Sequence, residues 1–371
     1  MENETCPKCG SELVEDAWED LSLQNSNIII DTYPAYVCKN HCGYVEKINS
    51  TNESLHDHVE KPNLFTYATR ELSQDAFLCW LMAWADPVFQ KTDAPLHRAA
   101  INFISAIFNK HAQDAPEIET IKIKRQHEDL DVLAIINQNY AILIEDKIKT
   151  KNHSRQLYRY REAIEKYNPD LIQLPIYYKT YDQSHYRSVI KAGYAPFTRK
   201  DMLPVLIQGK EDDVTNPIFL DYLRHLKKLE LAVSAYLTKP VSEWDGRCWE
   251  GFYQALQKDI DGNWKYVHNK SGGFQAFWWS SNLGDEFYPQ LEQDKLCIKI
   301  KAGNSDNKRQ LRKERMKQVL QLSDEKELNL KRPSRLGTGK TMTFAENSDY
   351  MQFKADGMVD VEGTAEWLKR Y

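Results

Sequence analysis

The reading turns on Asp131-Val-Leu-Ala-Ile-Ile-Asn-Gln-Asn-Tyr-Ala-Ile-Leu-Ile-Glu145-Asp146-Lys147. Two apolar runs, 132–136 and 141–144, flank Asn137-Gln138-Asn139. Runs so continuously apolar read as strands buried on both faces, and the asparagine-rich break reads as a tight turn. The spacing predicts a hairpin whose strands end in charge. Residues two apart on a strand share a face, so Glu145 and Lys147 point the same way. The turn can bring Asp131 alongside Glu145, within reach of a common cation. The same residue types also occur on solvated sheet edges. The apolar runs argue instead for charges that cap buried strands and face a cleft.

Outward from this hairpin, residues 69–86 predict a helix closed by Pro87. Phe77, Trp80, Leu81 and Trp84 form one stripe; Leu78 and Met82 lie on the side that carries Glu71. A helix apolar on both sides is a buried one. A second helix is expected over 95–110, strands over 120–125, 129–136 and 140–147, a basic helix over 154–167 and a strand over 171–179. That order is an α/β arrangement with a mixed sheet. Helical pattern resumes over 217–237, and Lys239-Pro240 marks a boundary. Beyond it the chain is rich in aromatics. A helix (244–259), strands (274–280 and 296–301), a charged helix (307–321) and a terminal helix make an α+β C-terminal part. The expected domains are 1–50, 64–238 and 241–371, with residues 50–63 as a polar linker.

The charged residues suit phosphodiester hydrolysis. Carboxylates hold a hard cation through oxygen, and a lysine orients the attacking water or neutralises developing charge. The backbone carbonyl of Asp146 is a further candidate ligand. Asp131 and Glu145-Asp146-Lys147 resemble the first motif and the ExK motif of the PD-(D/E)XK nuclease superfamily. Gln156-Leu-Tyr-Arg-Tyr160 resembles the Q-x-x-x-Y motif of its RecB-like and λ-exonuclease-like branch. Arg70-Glu71-Leu-Ser-Gln-Asp-Ala-Phe resembles the first-helix segment whose glutamate completes the metal site in that branch.

The resemblance covers about residues 65–180. It implies a restriction-endonuclease-like core, a mixed central sheet flanked by helices. It also implies Mg²⁺ or Mn²⁺ held by Glu71, Asp131 and Glu145, with Lys147, Gln156 and Tyr160 completing the catalytic set and DNA as substrate. No proline precedes Asp131; the residues are Asp129-Leu130, and Asp129, on the same strand face, is a candidate substitute ligand. Lys149, Lys151, Arg155, Arg159 and Arg161 could grip phosphates or simply be solvated. Plain structural roles exist too: Glu71 as a carboxylate at a helix N-terminus, Gln156 and Tyr160 as an exposed helix face.

The N-terminus carries Cys6-x-x-Cys9-Gly and Cys38…Cys42-Gly around a β-rich stretch, residues 28–30 and 33–37. This resembles a zinc ribbon, in which Zn²⁺ takes four tetrahedral thiolate or imidazole ligands. The second knuckle has three residues between its cysteines, so His41 is an alternative ligand to Cys38 or Cys42. Cys79, Cys248 and Cys297 sit among apolar residues and read as core.

The sequence has 371 residues, net charge −5 and no apolar run long enough to span a bilayer. Its acidic start is not a secretory signal, so a cytoplasmic protein with no membrane partner is expected. The negative total does not exclude nucleic acid, because basic residues gather locally. Gly337-Thr-Gly339-Lys340-Thr341 fails the Walker pattern at Ser334. His127, Asp129 and Ser154 lack a nucleophile elbow. Phe274, Phe277, Trp278 and Trp279 read first as core and second as a base-stacking platform. The run 308–317 with Lys331, Arg332, Arg335 and Lys340 reads as a solvated helix or a second DNA-binding surface. Three functions stay open: a DNA nuclease (an endonuclease, or an exonuclease for end processing and repair), an inactive nucleic-acid-binding module, and a partner-recruited regulator. A homodimer or a partner protein bound through the ribbon or the C-terminal part is compatible with each. Bacterial or phage defence is the setting such domain combinations suggest.

Overall fold

The computed structural model describes residues 5–24, 27–40, 42, 44–47, 62–127, 130–150, 155–269, 272–281, 287–301, 308–334 and 341–371. His41, Asp129, Lys151, Ser154, Arg335, residues 337–340 and most of the expected linker lie outside them. Two compact units result, Met1–Pro62 and Asn63–Tyr371.

In the first unit β1 (Leu13–Gln24), β2 (Asn27–Cys38) and β3 (Val45–Lys47) form an antiparallel sheet in that order. The knuckle before β1 is closed by Cys6 N–H donating to Ser11 O and Gly10 N–H to Cys6 O. Gly10 sits at φ +74°, which glycine adopts without a Cβ penalty.

The second unit begins with α1 (Leu64–Tyr67), α2 (Glu71–Ala83) and α3 (Ala94–Lys110). Then come β4 (Ile121–His127), β5 (Leu130–Ile136), β6 (Tyr140–Lys147), α4 (Gln156–Tyr167) and β7 (Ile172–Lys179). α5 (Arg187–Lys191), β8 (Ala195–Thr198), α6 (Arg199–Glu211) and α7 (Pro217–Ser234) follow. The sheet order is β4-β5-β6-β7-β8. β4/β5 and β5/β6 are antiparallel, while β6/β7 and β7/β8 are parallel, so the sheet is mixed.

The β5–β6 turn has Asn137 and Gln138 at φ +50° and +58°. Asparagine tolerates this region because its short side chain bonds locally. Here the Asn137 Oδ1 accepts from the Glu119 and Thr120 N–H groups, and its Nδ2 donates to Glu117 O. One side chain thus ties the hairpin turn to the chain entering β4.

One sheet face packs against α2, α3, α6 and α7 in a core running from Phe65 to Leu226. The other packs against α4 and α5 through Leu133, Leu143, Tyr160, Ile164, Leu157 and Val189. Trp80 and Trp84 lie at the rim of the first core, whereas Phe77, Leu78, Leu81 and Met82 are buried in it.

Residues 246–371 add α8 (Gly246–Leu256), β9 (Gly262–Asn269), β10 (Gly272–Trp279), β11 (Phe287–Glu292), β12 (Lys295–Lys301), α9 (Lys308–Glu325), β13 (Thr341–Asn347) and α10 (Val361–Leu368). The five strands form an antiparallel sheet in the order β13-β12-β11-β10-β9. The three helices share one core with one face of it. No helix among the described residues is long and apolar enough to cross a membrane.

Candidate active site

The strand expected over 140–147 is β6, and its register with β5 pairs Val132 with Ile144. Asp131 therefore lies at the end where Glu145 and Lys147 emerge. Its Oδ2 accepts the Asp146 N–H at 2.8 Å, which locks the two strand ends together. Glu71 is the first residue of α2, and its Oε1 accepts from Ile148 N–H and Thr150 Oγ1. The first turn of α2 is thereby fastened to the chain leaving β6.

These carboxylates surround one ammonium group. Lys147 Nζ lies 2.7 Å from Glu145 Oε1, 3.6 Å from Asp131 Oδ2 and 3.7 Å from Glu71 Oε2. It also donates to Asp146 O at 2.6 Å. Burial works against the charge of Lys147, but Glu145, Asp131 and Glu71 outweigh it and hold its pKa above the ordinary value. Glu145 is fully buried, with the Lys147 ammonium against its Oε1. Burial, reinforced by Asp131 and opposed by Lys147, pushes its pKa up to about 8.

Gln156 and Tyr160 are joined on α4, the Gln156 amide donating to the Tyr160 hydroxyl at 2.5 Å. The exposed-face reading fails for Tyr160, which is 5% exposed and packs with Leu130, Leu133 and Leu143. The structure gathers Glu71, Asp131, Glu145 and Lys147 into direct contact; the Gln156–Tyr160 pair stands on the neighbouring helix.

Sequence reasoning missed what lies on the other face of β6. Asp146 is fully buried there, and its Oδ1 accepts from the Gln74 amide. Gln74 Oε1 in turn accepts from the Tyr222 hydroxyl at 3.3 Å, and Tyr222 shares a 2.9 Å bond with Tyr178. Asp75, also fully buried, adjoins Asp146. Burial and then Asp131 raise the Asp75 pKa to about 7. Burial and then Asp75 raise that of Asp146 well above the carboxylate range. Burial and mutual repulsion thus both favour the neutral form of these two carboxyls. The signal was available: Glu71, Gln74, Asp75 and Leu78 recur at helical spacing, so polar groups share a face of α2 with apolar ones. Lys179 was also missed. It is 1% exposed and donates to Ile148 O and Thr150 O, holding the segment that Glu71 grips from the other side.

In the first unit the Cys6, Cys9, Cys38 and Cys42 Sγ atoms all lie within 4.8 Å of one another. Among the described residues, no other set of three or more ligand-type side chains meets that spacing; the carboxylates around Lys147 are spread more widely. Burial disfavours the Cys38 thiolate, but hydrogen bonds from the Cys9 thiol and the backbone outweigh it and bring the group down to about 6. Four converging thiols, one of them ready to ionise, fit a zinc-ribbon site. Cys248 and Cys297 are buried as expected, while Cys79 is half-buried.

No curated protein and no solved structure matches the chain. A family model described as the PD-(D/E)XK nuclease superfamily matches residues 49–261, more than half of the chain, and spans the carboxylate–lysine cluster. The chain belongs to the PD-(D/E)XK nuclease superfamily.

Proposed function

We propose that the chain is a cytoplasmic, Mg²⁺- or Mn²⁺-dependent deoxyribonuclease that cuts within DNA and leaves 5′-phosphate ends. The observation that carries this reading is the convergence of Glu71, Asp131 and Glu145 on the Lys147 ammonium. Their hard oxygen donors fit a divalent cation, and Glu145 is fully buried with the Lys147 ammonium at its Oε1. When bound, such an ion polarises the phosphoryl group and acidifies the attacking water.

The chain's own residues do the rest. Asp131 and Glu71 are oriented by backbone N–H groups, so their free oxygens are held in place before substrate arrives. Lys147 offsets charge that builds on the phosphate oxygens. Gln156 and Tyr160 orient the substrate from α4. Direct attack of water needs no covalent intermediate, and expulsion of the 3′ oxygen leaves the phosphate on the 5′ end. Zn²⁺ in the cysteine quartet holds the N-terminal module together. Residues 64–238 form the catalytic part in this reading. The biological setting we propose is defence against foreign DNA, on the pairing of a zinc ribbon with a nuclease core.

The Gln156–Tyr160 pair favours end processing as a second reading, because it resembles the branch with exonucleases. Covalently closed circular DNA separates the two. Cleavage of the circle in Mg²⁺ by wild type, and its loss in Lys147→Ala, is the expected result. An intact circle beside linear DNA consumed from its ends would make the enzyme an exonuclease. Activity in excess chelator, or full activity in Glu145→Ala, would overturn the metal-dependent reading.

A further inference from the structure

Two features of the C-terminal part that sequence separates by some thirty residues meet around one cleft: the aromatic strand β10 and the charged helix α9. β10 and β11 pair only over Ala276–Trp278 and Gln290–Glu292. Past that point the strand ends line a cleft of about 970 Å³. Trp278 and Tyr288, both half-buried, stand in its wall. Lys265 of β9 places its ammonium 5.8 Å from the centre of the Trp278 ring. Arg187 of α5, paired with Asp261, and Arg315 of α9, which donates to Gln318, add two more cations among the described lining residues.

We propose that this cleft binds single-stranded nucleic acid. Trp278 offers a plane for a base, and Lys265, Arg187 and Arg315 offer charge for the phosphates on either side. Base stacking on an aromatic beside a cationic track is how strands are held without sequence preference. Lining and charge both fit: apolar rings for the bases, and described lining side chains that are net positive for the backbone. The form must be single-stranded. Bases paired in a duplex present edges and end faces, so an aromatic set into a concave wall meets a base face only where the strand is unpaired. The cleft volume is that of a site for a small number of planar groups, not for a double helix. Its residues are separate from the carboxylate–lysine cluster, so strand binding here is independent of cleavage there.

The test is fluorescence anisotropy of labelled dT12, rU12 and a twelve-base-pair duplex with the full chain, in buffer without added divalent metal. Wild type should bind dT12, rU12 or both, and the two arms show whether the sugar matters. Trp278→Ala should weaken strand binding roughly tenfold, the range of one lost stacking contact. Lys265→Ala should weaken it and reduce its salt dependence. Trp278→Phe, which keeps a ring and serves if the alanine variant folds poorly, should stay within about threefold of wild type, a loss below one full stacking contact. No binding of either strand by wild type overturns the proposal. So does Trp278→Ala binding that is unchanged, or weakened equally for strand and duplex. Failure of the nuclease reading looks different: no cleavage in Mg²⁺, with Trp278-dependent strand binding intact.

Discussion

The two five-stranded sheets of Asn63–Tyr371 differ in how they are covered, and the difference decides where chemistry can sit. The mixed sheet is packed on both faces, by α2, α3, α6 and α7 on one side and α4 and α5 on the other. Its central strands are apolar almost throughout, so charged groups survive only at strand ends. There they are crowded together, as Asp131, Glu145, Asp146 and Lys147 are. The antiparallel sheet has all three of its helices on one face. Its strands alternate, with Trp264, Phe277, Leu291 and Ile298 facing the core and Lys265, Trp278, Tyr288 and Lys299 on the opposite side. Double cover concentrates charge at an edge, where it can hold a cation; single cover spreads aromatics and cations over a surface, where they can hold a chain.

Charge removed from the covered sheet should therefore cost far more than charge removed from the open one. The largest expected effect is at Arg199, 1% exposed, which donates to Asp182, Glu230 and Thr180 O. Arg199→Ala strands two carboxylates and should destabilise by about 3–5 kcal/mol in urea unfolding. A loss under about 1 kcal/mol, the level of a surface pair, would break the comparison. Next comes Gln74→Leu, which removes the donor to Asp146 and the acceptor for Tyr222. The expected cost is about 2 kcal/mol, that of a buried polar group left unpaired. An unchanged unfolding midpoint would mean that the Asp146 network carries no stability.

A smaller effect follows from pH. The folded-state pKa of Glu145, about 8, lies above its ordinary 4.5, and that of Asp75, about 7, above its ordinary 3.8. A raised carboxyl pKa stabilises the fold fully below the unfolded value, and that contribution is lost as pH rises through the folded value. Without added magnesium, the melting temperature should fall between pH 4.5 and 8. Glu145→Gln, which cannot ionise, should melt about 3 °C higher than wild type at the alkaline end of that window. Equal slopes for the two proteins would show that Glu145 is not buried as described. The smallest effect is at Arg187, whose pair with Asp261 is 74% and 88% exposed on its two sides. Arg187→Ala should change stability by less than about 0.5 kcal/mol, and a larger loss would show that the contact between α5 and the start of β9 is more tightly built than its exposure indicates.

The central hairpin was legible because two independent signals agreed. The apolar runs set the strands, Asn137 set the turn, and β6 occupies Tyr140–Lys147 as the sequence reading placed it. Helix ends were less legible: α2 spans Glu71–Ala83, inside the expected 69–86, since the apolar pattern outruns the last helical hydrogen bond. No element was expected between Lys179 and Pro217, yet α5, β8 and α6 lie there. α6 carries Pro204 inside it and Gly209 near its end, both of which read as breaks. Gly209 is there for packing: a Cβ would come within 2.5 Å of the Phe219 ring and 3.1 Å of Ala99. β11 was hidden by Pro289, which lies just before the point where pairing with β10 begins. Asp131, Glu145 and Lys147 followed from strand alternation and the hairpin, and Glu71 from the resemblance of its helix segment. The contact of Gln74 and Asp75 with Asp146 did not, because it is formed by a helix crossing a strand, and a single sequence does not state which face of α2 meets β6.

The most direct measurement is the rate of cutting of covalently closed circular DNA in Mg²⁺ by wild type and Lys147→Ala, with duplex binding measured alongside. The account predicts that wild type cuts, that chelator stops it, and that Lys147→Ala cuts at least about a hundredfold more slowly while binding DNA as before. Cutting by Lys147→Ala at the wild-type rate would contradict it.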